Sequence, residues 1–341
     1  MEHVRWLGQP TLHRPKLIAA FTGWNDAADA ASNSVRHMVE AWSADPLAEI
    51  DPEEFTDFAT VRPHVRLTPD QRRTIVWPTV GLWSASTPGG DVILLLGPEP
   101  ALRWRLFTEQ LLAIAEKFEV SLVITLGALL ADVPHSRPVH LIGTSTDQAT
   151  IDRFDLQRSR YEGPTGIVGV MQDACAREGY ATASLWAAVP AYASQLPSPK
   201  AALALVQRAC DMIGTPAPTG GLQADADGYD TRVTALVADD ADLIGYVARL
   251  ETLSDTGELD DYDFDLDDVD SLDDDVDLAD DDDDDDDTVG GELGDGDSSG
   301  DDAGTRSSRT TRDAAGPATE VDSDELMAEV ERFLRDQGSD S

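Results

Sequence analysis

The chain has 341 residues, of which 66 are acidic and 25 are basic, and its formal net charge is −41. Residues 251–341 contain 36 of the acidic and 5 of the basic side chains, so residues 1–250 form an ordinary, mildly acidic segment that is long enough to bury a full core. Because no part of the chain forms a basic face, nucleic acid is not an expected partner.

Short apolar runs alternate with helix-patterned segments along residues 17–213. Strands are predicted at Leu17–Phe21, Phe55–Val61, Thr74–Trp77, Val92–Leu96, Leu122–Leu126, Val139–Thr144 and Ala183–Val189. Helices are predicted at Ala27–Trp42, Leu102–Phe118, Thr165–Glu178 and Lys200–Ile213. This alternation predicts an α/β fold with three α/β/α layers around one central sheet. Additional antiparallel strands near Thr74–Ala85 would make that sheet mixed.

A Pro/Gly/Thr linker, Thr215–Gly221, precedes a segment of about 222–254 in which apolar residues keep helical spacing. We interpret this segment as a C-terminal helical arm of a domain that covers residues 1–254. Its narrow apolar stripe has two interpretations, packing on the flank of its own domain or contact between the subunits of an oligomer.

Residues 255–320 are predicted to be a disordered Asp-rich linker, since the run Asp280–Asp287 cannot pack against itself. Such a tail is either a solubilising spacer or a capture site for a basic partner. A short amphipathic helix is predicted over 321–338, with Asp322 as its N-cap. Its apolar face is formed by Leu326, Val330, Phe333 and Leu334. Because a helix this short is marginal alone in water, it needs a docking surface, either on its own domain or in a partner groove.

Polar side chains follow three of the predicted strands. Since the carboxyl ends of strands in an open α/β sheet share one edge, these side chains could converge there. The candidate pocket or interface residues are Gly23, Trp24, Asn25, Asp26, Glu99, Asp132, His135 and Arg137. One interpretation is an anion pocket with an acid/base pair beside it. The other is structural, with Asp26 as a helix N-cap, Glu99 as a first-turn acid and Arg137 as their counter-ion.

The common catalytic and cofactor signatures are absent from the sequence. It contains no GxxxxGK[ST] phosphate loop, no GxGxxG, no GxSxG and no HExxH motif. The six histidines lack metal-ligand spacing, and Cys175 and Cys210 lack CxxC spacing, so both thiols are expected to be reduced core residues. We therefore assign no catalytic residue, no metal and no cofactor. The longest apolar run is too short to cross a bilayer and the first residues do not resemble a secretory signal, so a cytoplasmic protein is expected.

Several segments, in order from about Pro10 to about Glu251, resemble the proteasome assembly chaperone 2 family, and more closely its actinobacterial branch. The segments that carry the resemblance are Gly23–Ala31 (GWNDAADAA), Asp51–Phe58 (DPEEFTDF), Gly97–Trp104 (GPEPALRW), Thr125–Pro138 (TLGALLADVPHSRP), Tyr161–Gly169 (YEGPTGIVG) and Ser184–Pro190 (SLWAAVP). The chain departs from the family pattern after Pro190, where Ala191 stands before Tyr192 in place of the expected histidine.

The resemblance implies a domain similar to that of nucleoside phosphorylases, used for protein–protein contact and not for turnover. It also implies a homo-oligomer, such as a trimer, and proteasome subunits as partners. Relatives dock on the proteasome ring by a C-terminal hydrophobic-Tyr-X tripeptide, whereas this chain ends in Ser339-Asp340-Ser341. The alternative function is a small-molecule binding protein or hydrolase for a nucleoside, nucleotide or phosphate, including the ATP-grasp activity with which the family has been labelled.

Overall fold

The computed structural model describes residues 2–257. The predictions for most of the Asp-rich linker (255–320) and for the helix at 321–338, with its face of Leu326, Val330, Phe333 and Leu334, lie outside the described residues.

Ten strands are formed within the described residues, and eight of them make one sheet in the order β1-β3-β6-β7-β2-β8-β10-β9. These eight are β1 (Val4–Trp6), β2 (Lys16–Thr22), β3 (Asp45–Ile50), β6 (Val80–Thr87), β7 (Gly90–Pro98), β8 (Leu122–Ala131), β9 (Leu141–Thr144) and β10 (Thr182–Pro190). The other two, β4 (His64–Leu67) and β5 (Arg73–Val76), form a separate antiparallel hairpin.

The four central strands β7, β2, β8 and β10 are parallel, and the outer strands β1, β3, β6 and β9 each pair antiparallel with a neighbour. The sheet is therefore mixed. We call the edge that receives the ends of β2, β7, β8 and β10 the carboxyl rim. Ile50 at the end of β3 pairs with Val80 at the start of β6, and Gly81 pairs with Leu96 of β7. The β4–β5 hairpin, which connects β3 to β6, consequently leaves the sheet at the carboxyl rim.

Helices cover both faces of the sheet, which confirms the three-layer α/β/α prediction. Helix α1 (Ala30–Ala41) contacts α5 (Pro199–Ile213) on one face, and α2 (Trp104–Lys117) contacts α4 (Ile167–Arg177) on the other. Each pair contributes apolar side chains to a separate core cluster, because alternate residues of the buried strands point to opposite faces. The remaining helices are α3 (Gln148–Phe154), α6 (Gly220–Ala238) and α7 (Ala241–Thr256).

The predicted helical arm corresponds to α6 and α7, two consecutive helices in contact with each other, and their buried stripe packs on its own domain. Leu222 and Ala226 join the core beneath α5, and Tyr229 and Val233 form a smaller cluster with Ala193. Packing on the flank is therefore the observed use of this stripe. None of the helices between residues 2 and 257 combines the length and hydrophobicity needed to cross a bilayer.

The strand predicted at Phe55–Val61 is wrong, since this segment is a series of turns. Asp57 accepts the backbone N–H of Ala59 through Oδ1 at 2.9 Å, which gives the chain a local alternative to a strand ladder. Phe55 is buried because its ring packs edge-on against Phe107 at 5.3 Å between centroids, and not because it lies on a strand.

Candidate functional site

The predicted site residues all lie at the carboxyl rim, but they form two separate groups. The first group follows β2 and β7 and contains Gly23, Trp24, Asn25, Asp26 and Glu99. The second follows β8 and contains Asp132, His135 and Arg137. Within residues 2–257, no side-chain hydrogen bond joins a member of one group to a member of the other.

In the first group, Asn25 and Glu99 connect three elements. Asn25 is fully buried and donates from Nδ2 to Glu99 Oε1 at 2.8 Å, and the same oxygen accepts the backbone N–H of Ile167 at 2.7 Å. The carboxylate of Glu99 thereby ties the loop after β2 to the start of α4. We call these three residues the rim bridge.

Two glycines allow the rim bridge to form. Gly23 has φ of 119°, a conformation that L side chains rarely adopt, and it starts the loop directly after β2. Gly166 precedes α4 and lies against Asn25, so that a Cβ at this position would stand 2.1 Å from Asn25 Oδ1. Any larger residue at position 166 would therefore displace the buried amide.

Asp26 accepts hydrogen bonds from the start of α1, although the residue at the N-cap of that helix is Asp29 and Asp26 stands before the 3-10 turn Ala27–Asp29. Its Oδ1 accepts the backbone N–H groups of Ala31 and Ser32 at 2.7 and 3.0 Å, which satisfies two of the free donors of the first turn. Burial raises the pKa of this carboxyl above its ordinary value of 3.8, against the opposing effect of these hydrogen bonds.

In the second group, His135 is buried in a hydrogen-bonded chain. The hydroxyl of Tyr192 accepts the backbone N–H of His135 at 2.7 Å and lies 2.9 Å from the Nδ1 atom of the same residue. Thr234 Oγ1 on α6 donates its own proton to the carbonyl of Asp230 at 2.7 Å, so it accepts a hydrogen bond from His135 Nε2 at 3.0 Å, and Tyr192 donates to Nδ1. Burial lowers the pKa of His135 below 6.5 and raises that of Tyr192 to about 12, so the network is neutral at physiological pH.

Arg137 and Asp132 fasten α7 to the loop after β8. Arg137 donates from Nε and Nη2 to the two carboxylate oxygens of Asp255, each at 2.7 Å, and also contacts Glu251. Asp132 accepts a hydrogen bond from the Tyr246 hydroxyl. The prediction that Arg137 is the counter-ion of Asp26 and Glu99 is therefore wrong, because its carboxylate partners are on α7.

A cavity of about 340 Å³ lies between the loop after β8 and the helical pair α6–α7. Its lining includes His135, Arg137, Lys200, Tyr229 and Asp255. Both cations at its wall are already neutralised, Arg137 by Asp255 and Lys200 by Asp230 at 2.9 Å. The cavity consequently presents hydrogen-bonding groups and an apolar wall, without the surplus positive charge that a phosphate requires.

The anion pocket with an adjacent acid/base pair is not present in the expected form, since Asp26 and Glu99 hold backbone and amide donors while His135 is enclosed by Tyr192 and Thr234. In the part of the chain that the structure describes, no three His, Cys, Asp or Glu side chains are arranged to hold a metal ion. Cys175 and Cys210 are buried free thiols, and burial raises the pKa of each to about 12.

Sequence reasoning missed most of the partners in the second group. Tyr192 could have been found, because it follows β10, a fourth strand that ends at the same rim. Lys200, Thr234, Glu251 and Asp255 lie on helices far along the chain, and no motif connects them to His135 or Arg137.

Apolar side chains are exposed on the rim beside these closed networks. Trp24, after β2, is 51% exposed and Leu102, after β7, is 50% exposed. Trp77, at the base of the β4–β5 hairpin, is 47% exposed. Exposed aromatic and aliphatic side chains on neighbouring loops are typical of a protein contact surface.

Comparison with known proteins identifies relatives of this chain. Residues 20–237 match the PAC2 family. A PAC2 family protein from Streptomyces avermitilis is 44% identical with a TM-score of 0.64, covering 68% of this chain and 99% of that one. The Mycobacterium tuberculosis proteasome-assembly chaperone homologue Rv2125 is 43% identical with a TM-score of 0.63, with the same shares of 68% and 99%.

An archaeal proteasome activator, PbaB from Pyrococcus furiosus, is 14% identical with a TM-score of 0.56, covering 68% of this chain and 97% of its own. At this identity the likeness concerns the fold alone. A comparison with curated proteins finds no match.

Proposed function

Because this chain belongs to the PAC2 family, we propose that it is a non-enzymatic interaction protein that acts in proteasome assembly or its regulation. It binds its partner through the carboxyl rim, self-associates as a homo-oligomer and works in the cytoplasm. The Rv2125 relative, a proteasome-assembly chaperone homologue at 43% identity, supports the proteasome as the system in which it acts.

The proposal that the protein is not an enzyme rests on the polar side chains of the carboxyl rim, which already have hydrogen-bond partners within the protein. Glu99 Oε1 accepts two internal donors, both ring nitrogens of His135 have internal partners, and Arg137 forms a bidentate pair with Asp255. A general base must reach the proton that it removes from a substrate, and these groups are held by the fold. Trp24, Leu102 and Trp77 expose apolar surface on the same rim, which favours binding over reaction.

Native mass spectrometry of the full chain with separately purified proteasome α and β subunits tests the proposal. We expect a complex of the chain with one of the two subunits, and faster ring formation when the chain is present. Unchanged assembly kinetics together with no complex would refute a role in assembly.

A small-molecule binding role is the second candidate, and the cavity beside His135 is the observation that favours it. A volume of about 340 Å³ lies at the lower end of the range for ligand pockets, on the order of 300–1,000 Å³. Since Arg137 and Lys200 are already paired, a neutral nucleoside fits this cavity better than a nucleotide or free phosphate. Of the three lysines, only Lys200 lines it, which argues against the lysine-rich triphosphate site of ATP-grasp chemistry.

Thermal unfolding with nucleosides, nucleotides and phosphate distinguishes the two roles. A ligand at 100 times its Kd stabilises the native state by about 2.7 kcal/mol, which is a measurable rise in the midpoint. A rise with nucleosides that disappears in Tyr229→Phe or His135→Gln would place the ligand in the cavity, and no rise with any compound would remove this candidate.

A further inference from the structure

The β4–β5 hairpin exposes an apolar face to solvent. All eight of its strand residues are exposed. Val65 and Ile75 pair directly across the two strands and are 48% and 49% exposed, and Leu67 on the same face is 67% exposed. Because an isolated two-stranded hairpin is marginally stable in water, a surface that covers this face would stabilise it.

The hairpin is also a basic part of an acidic molecule. Four arginines and a single acidic residue, Asp70, lie within residues 62–77. Asp70 pairs with Arg72, whereas Arg66 and Arg73 have no carboxylate within ion-pair distance among residues 2–257. The surface that covers the hairpin should therefore combine apolar and acidic side chains.

A surface of this kind lies at the turn between α6 and α7, and we call residues 236–244 the arm tip. Leu236 and Ile244 stand outside the buried stripe of the helical arm and are 45% and 48% exposed. The exposed acidic side chains between them in the sequence are Asp239, Asp240 and Asp242. The arm tip contains no basic residue. It therefore has the composition that the hairpin requires.

The hairpin and the arm tip lie over different strands of one molecule. Tyr246 of α7 donates to Asp132 after β8, so the arm stands beside the end of that strand. The hairpin leaves the carboxyl rim at β6, which is three strand positions, or about 14 Å, from β8. Since both surfaces are exposed in the single chain, neither covers the other there.

We propose that the hairpin of one copy docks on the arm tip of a second copy. This inference rests on the self-association that we propose above, and it names the contact. The apolar face of the hairpin covers Leu236 and Ile244, while Arg66 and Arg73 stand beside the aspartates of the arm tip. Two hairpins placed against each other would bring like charges together, which disfavours a contact between identical surfaces.

A contact between two different surfaces occurs twice for each subunit of a closed assembly. Every copy offers one hairpin and one arm tip, so each takes part in two such contacts, in a ring or in a reciprocal dimer. While one contact holds, the partner of the other stays at a high effective concentration. Contacts that are individually small can therefore maintain the assembly.

Charge reversal tests the proposal, with self-association of the full-length protein measured by analytical ultracentrifugation. The hairpin variant is Arg66→Glu with Arg73→Glu, and the arm variant is Asp239→Arg with Asp242→Arg. Each should weaken self-association by at least about tenfold, because each places like charges in the contact. A chain with all four substitutions restores the opposite charges and should recover the wild-type affinity.

Matched variants separate the contact from general effects of charge and exposure. Arg36→Glu with Arg177→Glu makes the charge change of the hairpin variant on the exposed surfaces of α1 and α4, and should leave self-association unchanged. Leu67→Ser removes apolar surface from the contact and should weaken it. Leu7→Ser, at a leucine that is exposed outside the hairpin, should not.

Self-association that is unchanged in the hairpin and arm variants would overturn the proposal. Failure of the four-substitution chain to recover would overturn it as well, because the two surfaces would then not meet. Loss of a proteasome-subunit complex in the hairpin variant, with self-association intact, would assign the hairpin to that partner instead. A wild type that is monomeric at every concentration would refute self-association itself, a result distinct from an assembly that the substitutions leave intact.

Discussion

Asn25 and Glu99 are joined across two neighbouring strand ends by a 2.8 Å hydrogen bond, although they lie 74 positions apart in the sequence. The same Glu99 oxygen accepts the Ile167 amide, so one carboxylate holds the loops after β2 and β7 and the start of α4 in a fixed arrangement. Trp24 stands next to Asn25 in this framework. The bridge therefore positions the exposed surface that we propose to be the contact site.

Replacement of Glu99 by alanine should destabilise the fold, because it leaves the Asn25 amide and the Ile167 N–H without their acceptor. An unsatisfied buried donor costs about 1–3 kcal/mol. Glu99→Gln keeps an oxygen at this position and should cost less. Urea unfolding monitored by circular dichroism measures both, with Glu109→Ala on the exposed side of α2 as the control. An equal loss of stability in Glu99→Gln and Glu99→Ala would contradict the role of Glu99 as a hydrogen-bond acceptor.

Gly166→Ala should also destabilise the protein, for a steric reason. The added Cβ would lie 2.1 Å from Asn25 Oδ1, and the fully buried Asn25 has no space to move. Overpacking of this kind costs about 1–3 kcal/mol. The matched control is Gly245→Ala in α7, where a Cβ meets nothing within 4 Å. Gly245→Ala should stabilise the protein by up to about 1 kcal/mol. If both substitutions changed the free energy of unfolding in the same direction, the close packing at Gly166 would be contradicted.

Stability should decrease as the pH falls below about 6.5, in part through His135. Burial lowers the pKa of His135 in the folded state from its ordinary 6.5, while Asp230 and Glu251 oppose and Lys200 reinforces this effect. The unfolded chain therefore takes up the proton first, and the free energy of unfolding declines between pH 6.5 and the lower folded pKa. His135→Gln should flatten the dependence of the free energy of unfolding on pH in that window, whereas substitution of the exposed His13 by Gln should not. Identical profiles for the wild type and His135→Gln would contradict the neutral, buried imidazole.

Arg137→Ala should release the end of α7 without unfolding the domain. The lost contacts are the bidentate pair with Asp255 and the contact with Glu251, which lie near the surface and hold only the last turns of the helix. Hydrogen exchange over residues 248–257 should accelerate several-fold. Arg177→Ala, which breaks the exposed i,i+4 pair with Asp173 on α4, should leave that exchange unchanged. No change in α7 after loss of Arg137 would show that other contacts hold the helix.

The parallel core of the sheet could be predicted from the sequence, as could the outer strands β6 and β9, whereas β1 and β3 could not. Strands β2, β7, β8 and β10 are buried on both faces and appear as continuous apolar runs. The outer strand β3 was missed because it begins with Asp45-Pro46 and contains a register shift between Pro46 and Ala48. Its hydrogen bonds come from β1 and β6, which local sequence does not reveal.

The location of the candidate site was predictable, and its connections were not. The rule that parallel strands end at one edge placed Asn25, Glu99 and His135 on the same rim. The partner of Arg137 is Asp255, which lies 118 positions away on α7, and the partner of His135 is Thr234 on α6. Such pairs depend on how the helical arm folds back, which single-sequence patterns do not encode.

The central claim is that the carboxyl rim is a contact surface for proteasome subunits. Leu102→Asp is the test variant and Leu7→Asp is its matched control, because the two leucines are similarly exposed, at 50% and 46%. Leu102 lies at this rim, whereas Leu7 follows β1 toward the opposite edge of the sheet. The affinity of each variant for the proteasome subunit should be measured by native mass spectrometry. The account predicts a loss of about tenfold or more for Leu102→Asp and little change for Leu7→Asp. Equal affinities of the two variants and the wild type would contradict it.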